Sequence, residues 1–421
     1  MPSQYFDELE TMTDGARKKY QSAMLAGAVR RAYEKSVSVR GILDGAGVKP
    51  QDISTPADLQ KLPIMRKNDL IDLEKKHLFG GFLTIPVEDV GRIFISPGPV
   101  YEPLHSESIK WFAKSFWAAG LRRGDVAVNT FSYHMSPGGI LFHEAARDCG
   151  ATAVPMGTGN SEILIRTMLD LKATAFIGTP SYLLSIIKKA EELGHPWQGF
   201  NIKKAWFTGE MLTPSMRQTL EKEYGIDTYQ AYAVSEPGGC MAYECSEKNG
   251  LHFMDEYIIE IVDPATGKQL GTGEVGEIAV TPVHNPTWGL LRFGTGDLSS
   301  YVTDTCPCGR TAPRLTGILG RVGDSVKVRG LFVVGKQAEG IFSQFKEIAR
   351  AQIVVERPKE RDEMTFRIEL RDENCDRAAL SEELGKRFQS LCLLRPDRIE
   401  FVAAGTIPDG AKTVDDVRKW G

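Results

Sequence analysis

The sequence predicts an α/β protein with a large N-terminal domain of mixed, largely parallel sheets plus a barrel-like antiparallel subdomain, and a small mobile α+β C-terminal domain. Three observations carry this. The chain has 421 residues, more than the roughly 250–300 at which a single hydrophobic core stops growing. Between 106 and 208 strand-like and helix-like runs alternate, the pattern of βαβ units and a parallel sheet. After 228 the texture changes to short strands and turns, and a strand-and-helix pattern resumes near 330.

The elements follow in order. Residues 17–46 carry Tyr20, Met24, Val29, Ala32 and Tyr33 at helical spacing, closed by the glycine-containing turn GAGVKP. After Pro56 short helices and turns mix until EDVGRIFIS, a strand that opens into the loop SPGPVYEP. The alternating region reads as helix SESIKWFAKSFWAAGL, strand DVAVNTF, helix start SPGGILFHEAARDCG, strand ATAVPMG, helix SEILIRTMLDLKA, strand TAFIGT, helix SYLLSIIKKAEELG and strand KKAWFTG. YIIEIVDPATGKQLGTGEVGEIAVTPV then reads as antiparallel strands around the turn DPATG. A domain boundary near GRVGDSVKVRG divides the chain into 1–320 and 321–421, and a glycine-rich joint suits a hinge.

Composition removes several classes. A 42% hydrophobic, 25% charged chain is neither disordered nor fibrous. The net charge of −4, with basic residues interleaved among acids, argues against nucleic acid as a partner. The acidic N-terminus lacks a signal pattern, and no run approaches the ~20 apolar residues a membrane span needs, so a cytoplasmic protein without a membrane partner is expected.

Seven cysteines, four of them between Cys240 and Cys308, point to thiols or metal ligands rather than disulfides. Cys245 and His252 on a hairpin, with the knuckle Cys306-Pro307-Cys308-Gly309-Arg310, could close a Cys₃His tetrahedron on Zn²⁺. Cys240 is an alternative ligand, and free cysteines in a reduced compartment are the plainer reading. Four closed ligands would make the metal structural, because catalysis needs an open position.

The stretch from GLRRGDVAVNTF to IIKKAEELG resembles the core of the phenylacetate-CoA ligase family, a branch of the adenylate-forming enzymes. FTGEML, YQAYAVSEPGG, RFGTGDLSSY and GRVGDSVKVRG follow in the family's order, and four ordered landmarks carry more weight than any one. The resemblance implies Gly209 and Glu210 near the adenine, Tyr232 stacked on it, Ser235 donating to the α-phosphate and Glu236 holding Mg²⁺. It implies Asp297 accepting hydrogen bonds from both ribose hydroxyls and Arg321 approaching ribose or phosphate at the joint. The plainer alternatives are a turn aspartate in GTGD and a surface glutamate before Pro-Gly-Gly. The acyl group would sit at Phe131, Tyr133, His134, Pro137, Gly138 and Gly139, with Gly239 of the SEPGG turn, although aromatic residues at a strand end also serve as plain core.

The chain departs from the family twice. Against the usual Ser-Ser-Gly-Thr-Thr-Gly-Lys-Pro phosphate loop, SPGPVYEP keeps Ser96, Gly98 and Pro103, and puts Glu102 where the lysine belongs. Pro97 and Pro99 also remove two backbone donors. A carboxylate about 4 Å from a phosphate oxygen opposes binding by several kcal/mol at an intermediate dielectric. At the joint, Gly323 stands in place of the family's hinge acid, with Asp324 next, and in PDGAKTVDD only Lys412 can serve as the catalytic lysine.

The expected function is therefore an AMP-forming acyl-CoA ligase that takes an aryl or arylacetic acid through an acyl-adenylate to CoA. It would use ATP, giving AMP, with CoA and Mg²⁺ beside the structural Zn²⁺, and act as a homodimer. The alternative is a degenerate homologue that binds nucleotide or acyl-CoA without ATP-dependent adenylation, or transfers an already activated acyl group. A third reading keeps adenylation but uses an amine or alcohol acceptor.

Overall fold

The structure is a computed structural model that describes residues 4–96, 100–104, 110–328, 331–358, 362–372, 374–392 and 394–418. The chain forms two compact units. The first comprises Met1–Glu260, Ala279–Thr295 and Tyr301–Gly317, and the second Ile261–Ile278, Gly296–Ser300 and Ile318–Gly421.

The first unit opens on helices Asp14–Lys35 and Val37–Gly45. The sequence reading ran one helix through both. Ser36 divides them: it is extended, and its hydroxyl accepts from the Val39 amide at 3.0 Å, which starts the second helix.

The framework of this unit is a nine-stranded sheet. Its order is Tyr301–Val302, Arg314–Leu315, Leu251–Phe253, Gly239–Glu244, Asp227–Val234, Lys204–Phe207, Ala175–Gly178, Val126–Asn129, Thr152–Pro155. The strands between Val126 and Val234 pair in parallel. Those following pair antiparallel. The parallel half carries helices Pro137–Asp148, Ser161–Asp170 and Pro180–Glu192. Ala175–Gly178 is buried at every residue, as expected of a parallel strand covered on both faces. Leu164, Ile165, Met168, Leu183, Ile186 and Ile187 pack with Val128, Phe176 and Phe207 in one core. The mixed α/β class read from the sequence is the one observed.

Strand Asp227–Val234 matters most for function. It is parallel to Lys204–Phe207 on one side and antiparallel to Gly239–Glu244 on the other. Its C-terminal end therefore delivers Ser235 and Glu236 to the edge where parallel sheets bind ligands.

SPGPVYEP is largely not a loop. Arg92–Ser96 and Val100–Leu104 form an antiparallel hairpin with Phe94 opposite Glu102 and Ser96 opposite Val100. Val100 and Tyr101 favour strands, and an edge position tolerates Pro103. Pro97, Gly98 and Pro99 lie outside the described residues. The expected helix 106–121 is shorter than read: among the described residues it is a 3₁₀ turn, Lys110–Phe112, and a helix, Ala113–Ala118.

A buried ion pair fixes the approach to the RFGTGD strand. Arg292 donates to both carboxylate oxygens of Glu260 at 2.9 and 3.0 Å and to the Leu62 carbonyl at 2.7 Å. Arg292 has a left-handed φ of 48°, and these bonds hold an arginine in a conformation that usually suits glycine.

The second unit contains a four-stranded sheet, ordered Arg398–Val402, Glu363–Leu370, Ile348–Glu356, Val414–Asp416. Helices Gly335–Phe342 and Arg377–Cys392 cover it, with Phe342, Phe366, Leu384 and Phe388 in its core.

Candidate active site

Glu236 lies just past strand Asp227–Val234 in a turn closed by the Gly238 amide on the Ser235 carbonyl at 2.9 Å. Its carboxylate is buried, and Lys67 Nζ approaches Glu236 Oε1 to 2.6 Å while the Lys67 side chain stays 37% exposed. Lys67 is the first residue of helix Lys67–Glu74. At the far end of that helix Glu74 accepts from the Tyr101 amide at 3.1 and 3.2 Å. One short helix thus ties the hairpin to the Glu236 turn.

Strand alternation decides where Glu102 points. Tyr101 is exposed, whereas Val100, Glu102, Pro103 and Leu104 are buried, so Glu102 lies on the face opposite Tyr101. Glu102 lines a cavity of about 20 Å³ together with Pro137, Ser235, Glu236 and Trp288, about the room of one water. The residue at the lysine position of the phosphate loop therefore faces the Ser-Glu turn from inside the molecule. Ser96 ends the first strand of the hairpin, and Gly98 falls outside the described residues.

Several of the residues expected around the acyl group pack together. Phe131 packs on Phe142 with centroids 5.0 Å apart, and a Cβ on Gly138 would lie 3.3 Å from Phe142. Asn129 donates to the Tyr133 hydroxyl at 3.0 Å and to the Gly139 carbonyl at 2.8 Å. Gly139 is required, because a Cβ there would come within 2.3 Å of the Ser132 carbonyl oxygen. Burial pushes the Tyr133 phenol up to about 12, so it stays a neutral donor and acceptor. Its hydroxyl also meets His143 Nδ1 at 3.1 Å, and burial lowers the His143 pKa. The Ile95 amide donates to the Met135 carbonyl at 2.8 Å, joining the hairpin to this loop, while His134 itself is exposed. Gly239 stands elsewhere: a Cβ on it would strike the Phe112 ring at 2.4 Å, so it serves packing on Phe112.

Gly209 has a φ of 84°, and a Cβ there would lie 3.7 Å from the Phe131 ring. This brings the loop expected near the adenine against Phe131, one of the residues expected around the acyl group. Glu210 accepts from the Ser181 amide at 2.6 Å and its hydroxyl at 2.9 Å, capping helix Pro180–Glu192. Tyr232 is 7% exposed within its strand, beside a register shift between Tyr232 and Ala233.

In the second unit Asp297 pairs with Arg321 across adjacent strands, and Arg321 Nε lies 3.2 Å from Asp297 Oδ1. Arg321 is 67% exposed and Asp297 19%. The Gly296 amide donates to Glu277 at 3.1 Å, and the GTGD motif lies within strand Phe293–Ser299, so Asp297 is a strand residue and not the turn aspartate of the plainer reading. Lys412 is exposed, and its carbonyl accepts from Gln352 at 3.2 Å.

The chain is similar to known proteins over most of its length. The AMP-binding enzyme family matches residues 104–284. A phenylacetate-coenzyme A ligase of Thermus thermophilus is 31% identical over 380 residues, covering 87% of this chain and 84% of the relative. Another, from Escherichia coli, is 30% identical over 420 residues, covering 96% and 94%. The chain belongs to the phenylacetate-CoA ligase family. Among solved structures, an open conformation of 2-hydroxyisobutyryl-CoA ligase in complex with 2-HIB-AMP and CoA matches with a TM-score of 0.87 at 25% identity. That match covers 98% of this chain and 94% of that one.

Membership makes this chain an AMP-forming acid–thiol ligase by class. Sequence reasoning missed Lys67, which the structure brings to Glu236. MRKNDLIDLEKK reads as an ordinary charged helical face, and a pair spanning 67 to 236 leaves no local signal. A larger cavity of about 440 Å³ lies beside Leu212, Arg217, Glu221, Glu244, Lys248 and Gly317. Arg217 rests on Glu244 and Lys248 on Glu221, both at 2.6 Å, so its charges are already matched.

Proposed function

We propose that this ligase activates an aryl or arylacetic acid as an acyl-adenylate and transfers the acyl group to CoA. The single observation that carries the reading is the buried Glu236 carboxylate at the end of a parallel strand, held by Lys67 at 2.6 Å beside Ser235. The substrate carboxylate attacks the α-phosphorus of ATP, pyrophosphate leaves, and the CoA thiol then displaces AMP from the acyl carbon. Such chemistry depends on positioning and charge neutralisation more than on covalent help.

Each residue has a part in this reading. Ser235 donates to the α-phosphate, and Lys67 supplies near Glu236 the positive charge that SPGPVYEP lacks. Phe131, Phe142 and Gly138 form the apolar wall for the acyl group, with Tyr133 as a neutral hydrogen-bonding edge. Asp297 accepts from the ribose hydroxyls, and Arg321 holds its carboxylate until they arrive. The 321–421 domain rotates between the two half-reactions, bringing Lys412 to the first of them.

Ser235, Glu236 and Glu102 offer only oxygen, the donor set a hard cation such as Mg²⁺ prefers. Glu236 would hold Mg²⁺, which when bound there neutralises phosphate charge. A cytoplasmic homodimer completes the reading; it rests on the resemblance and is tested by sedimentation.

A second reading is favoured by Glu102. It is 4% exposed and lines the same cavity as Ser235 and Glu236, so the family fold would persist without ATP-dependent adenylation. Incubation with ATP, Mg²⁺, CoA and a panel of aryl acids separates the two. AMP and pyrophosphate formation supports the first reading. Its absence, with acyl-CoA binding retained in calorimetry, supports the second.

A further inference from the structure

The four residues singled out by their cysteine and histidine chemistry converge. The ligand atoms of Cys245, His252, Cys306 and Cys308 all lie within 4.8 Å of one another, and all four residues are buried. Cys245 Sγ is 3.7 Å from Cys306 Sγ, and Cys308 Sγ is 3.4 Å from His252 Nε2. Tetrahedral zinc with Zn–S bonds of about 2.3 Å places its sulfurs about 3.8 Å apart, whereas a disulfide needs about 2.05 Å. The 3.7 Å between Cys245 and Cys306 matches the edge of such a tetrahedron.

The surroundings fit the same ion. His252 Nδ1 lies 3.1 Å from the Ala312 carbonyl, a bond that puts the proton on Nδ1 and turns the Nε2 lone pair toward the sulfurs. The Arg310 amide donates to Cys308 Sγ at 3.4 Å, and the Gly309 amide closes the knuckle on the Cys306 carbonyl at 3.0 Å. Gly309 has a φ of 82°, which glycine takes without strain. Cys240 stands apart, its sulfur directed at the Ala242 carbonyl at 3.8 Å.

The knuckle is also where the N-terminal segment is fastened. Gln4 Nε2 and the Tyr5 hydroxyl donate to the Cys308 carbonyl at 3.0 and 3.2 Å. Arg310 Nε and the Tyr243 hydroxyl both reach Glu10 Oε1, at 2.6 and 2.7 Å. The Thr311 amide donates to the Glu10 carbonyl at 3.1 Å, and Arg17 donates to the Thr311 hydroxyl at 2.8 Å and carbonyl at 3.2 Å. These anchors sit within three residues of Cys308 or on the strand leading into Cys245, while Asp7 on Lys114 at 3.0 Å and Arg17 on Asp255 at 2.7 Å fasten the segment elsewhere.

We propose that Cys245, His252, Cys306 and Cys308 bind one structural Zn²⁺, and that the metal holds 306–311 in the shape that anchors residues 4–17. Four protein ligands leave no open position, so the ion performs no chemistry on the acyl substrate. The site stands on its own geometry and does not depend on the ligase reading.

The test uses the full chain purified without chelators from zinc-supplemented medium. Elemental analysis is expected to find about one zinc per chain, released when a mercurial titrates the thiols. Cys308→Ser is expected to lose the metal. His252→Cys keeps four ligands and is expected to retain it, which covers the case in which Cys308→Ser does not fold. Chelation of the wild-type chain is expected to speed hydrogen exchange in 4–17 at least tenfold while Ala175–Gly178 stays protected. Absence of zinc, or a Cys245–Cys306 disulfide found by mass spectrometry, overturns the site. Zinc at full occupancy with unchanged exchange in 4–17 overturns the anchoring role.

Discussion

Lys67 Nζ stands 2.6 Å from Glu236 Oε1, although 169 positions separate the two residues in the chain. The pair places an ammonium beside the Ser-Glu turn in a protein whose phosphate-loop position carries Glu102 instead of lysine. Lys67→Met is expected to lower kcat/KM for ATP by on the order of 10–100-fold, with Lys67→Arg restoring part of it. Because Glu236 is buried, Lys67→Met also leaves its carboxylate without this ammonium and should lower the unfolding midpoint, whereas Lys67→Arg keeps the charge, so the arginine variant separates the kinetic effect from the stability effect. Unchanged kinetics in Lys67→Met would remove Lys67 from the phosphate site.

Glu102 calls for a gentler substitution than lysine. The side chain is buried in the cavity that also holds Glu236, so a lysine there would confront Lys67. Glu102→Gln keeps the shape and deletes the charge. Less repulsion of phosphate should tighten MgATP by roughly 3–10-fold in calorimetry, a gain of about 1 kcal/mol. Weaker MgATP binding would assign Glu102 a positive part, as a cation ligand.

Asp297 is held by an exposed arginine at 3.2 Å, an arrangement worth little to folding but suited to a carboxylate that must exchange partners. Asp297→Ala is expected to weaken AMP binding by on the order of 10–100-fold while the unfolding midpoint stays nearly constant. AMP titration of the two proteins checks this. Equal affinity would confine Asp297 to its pairing with Arg321.

Acid stability has a signature at Asp255. Burial raises this carboxyl from 3.8 to about 6, against the opposing pull of Arg17, whose Nε lies 2.7 Å away. An acid with a raised folded-state pKa contributes stability that is fully present below pH ~4 and is lost as pH rises through ~6. The stability difference between wild type and Asp255→Asn, measured by urea unfolding, should therefore shift against wild type by roughly 3 kcal/mol across that window. A pH-independent difference would refute the assignment.

Much of the fold is legible in the sequence because buried strands leave continuous apolar runs. Ala175–Gly178 is buried at every residue and reads as a strand on composition alone. The hairpin was not legible, since proline and glycine at 97–99 punctuate SPGPVYEP as a loop while pairing with Arg92–Ser96 carries Val100–Leu104 as a strand. The Cys₃His cluster was legible because its ligand chemistry is rare. The Lys67–Glu236 pair was not, because side-chain convergence across 169 positions has no periodic trace. The compact second unit likewise includes Ile261–Ile278 and Gly296–Ser300, segments that a boundary drawn along the chain at 320 leaves in the first.

The central claim is that adenylation survives with Lys67 serving where the loop lysine is missing. Pyrophosphate release is the most direct measurement, made with ATP, Mg²⁺, CoA and a panel of aryl and arylacetic acids on wild type and Lys67→Met. The account predicts acid-dependent release by wild type that falls at least tenfold in Lys67→Met. No release from wild type with any acid, while AMP and acyl-CoA still bind, would contradict it.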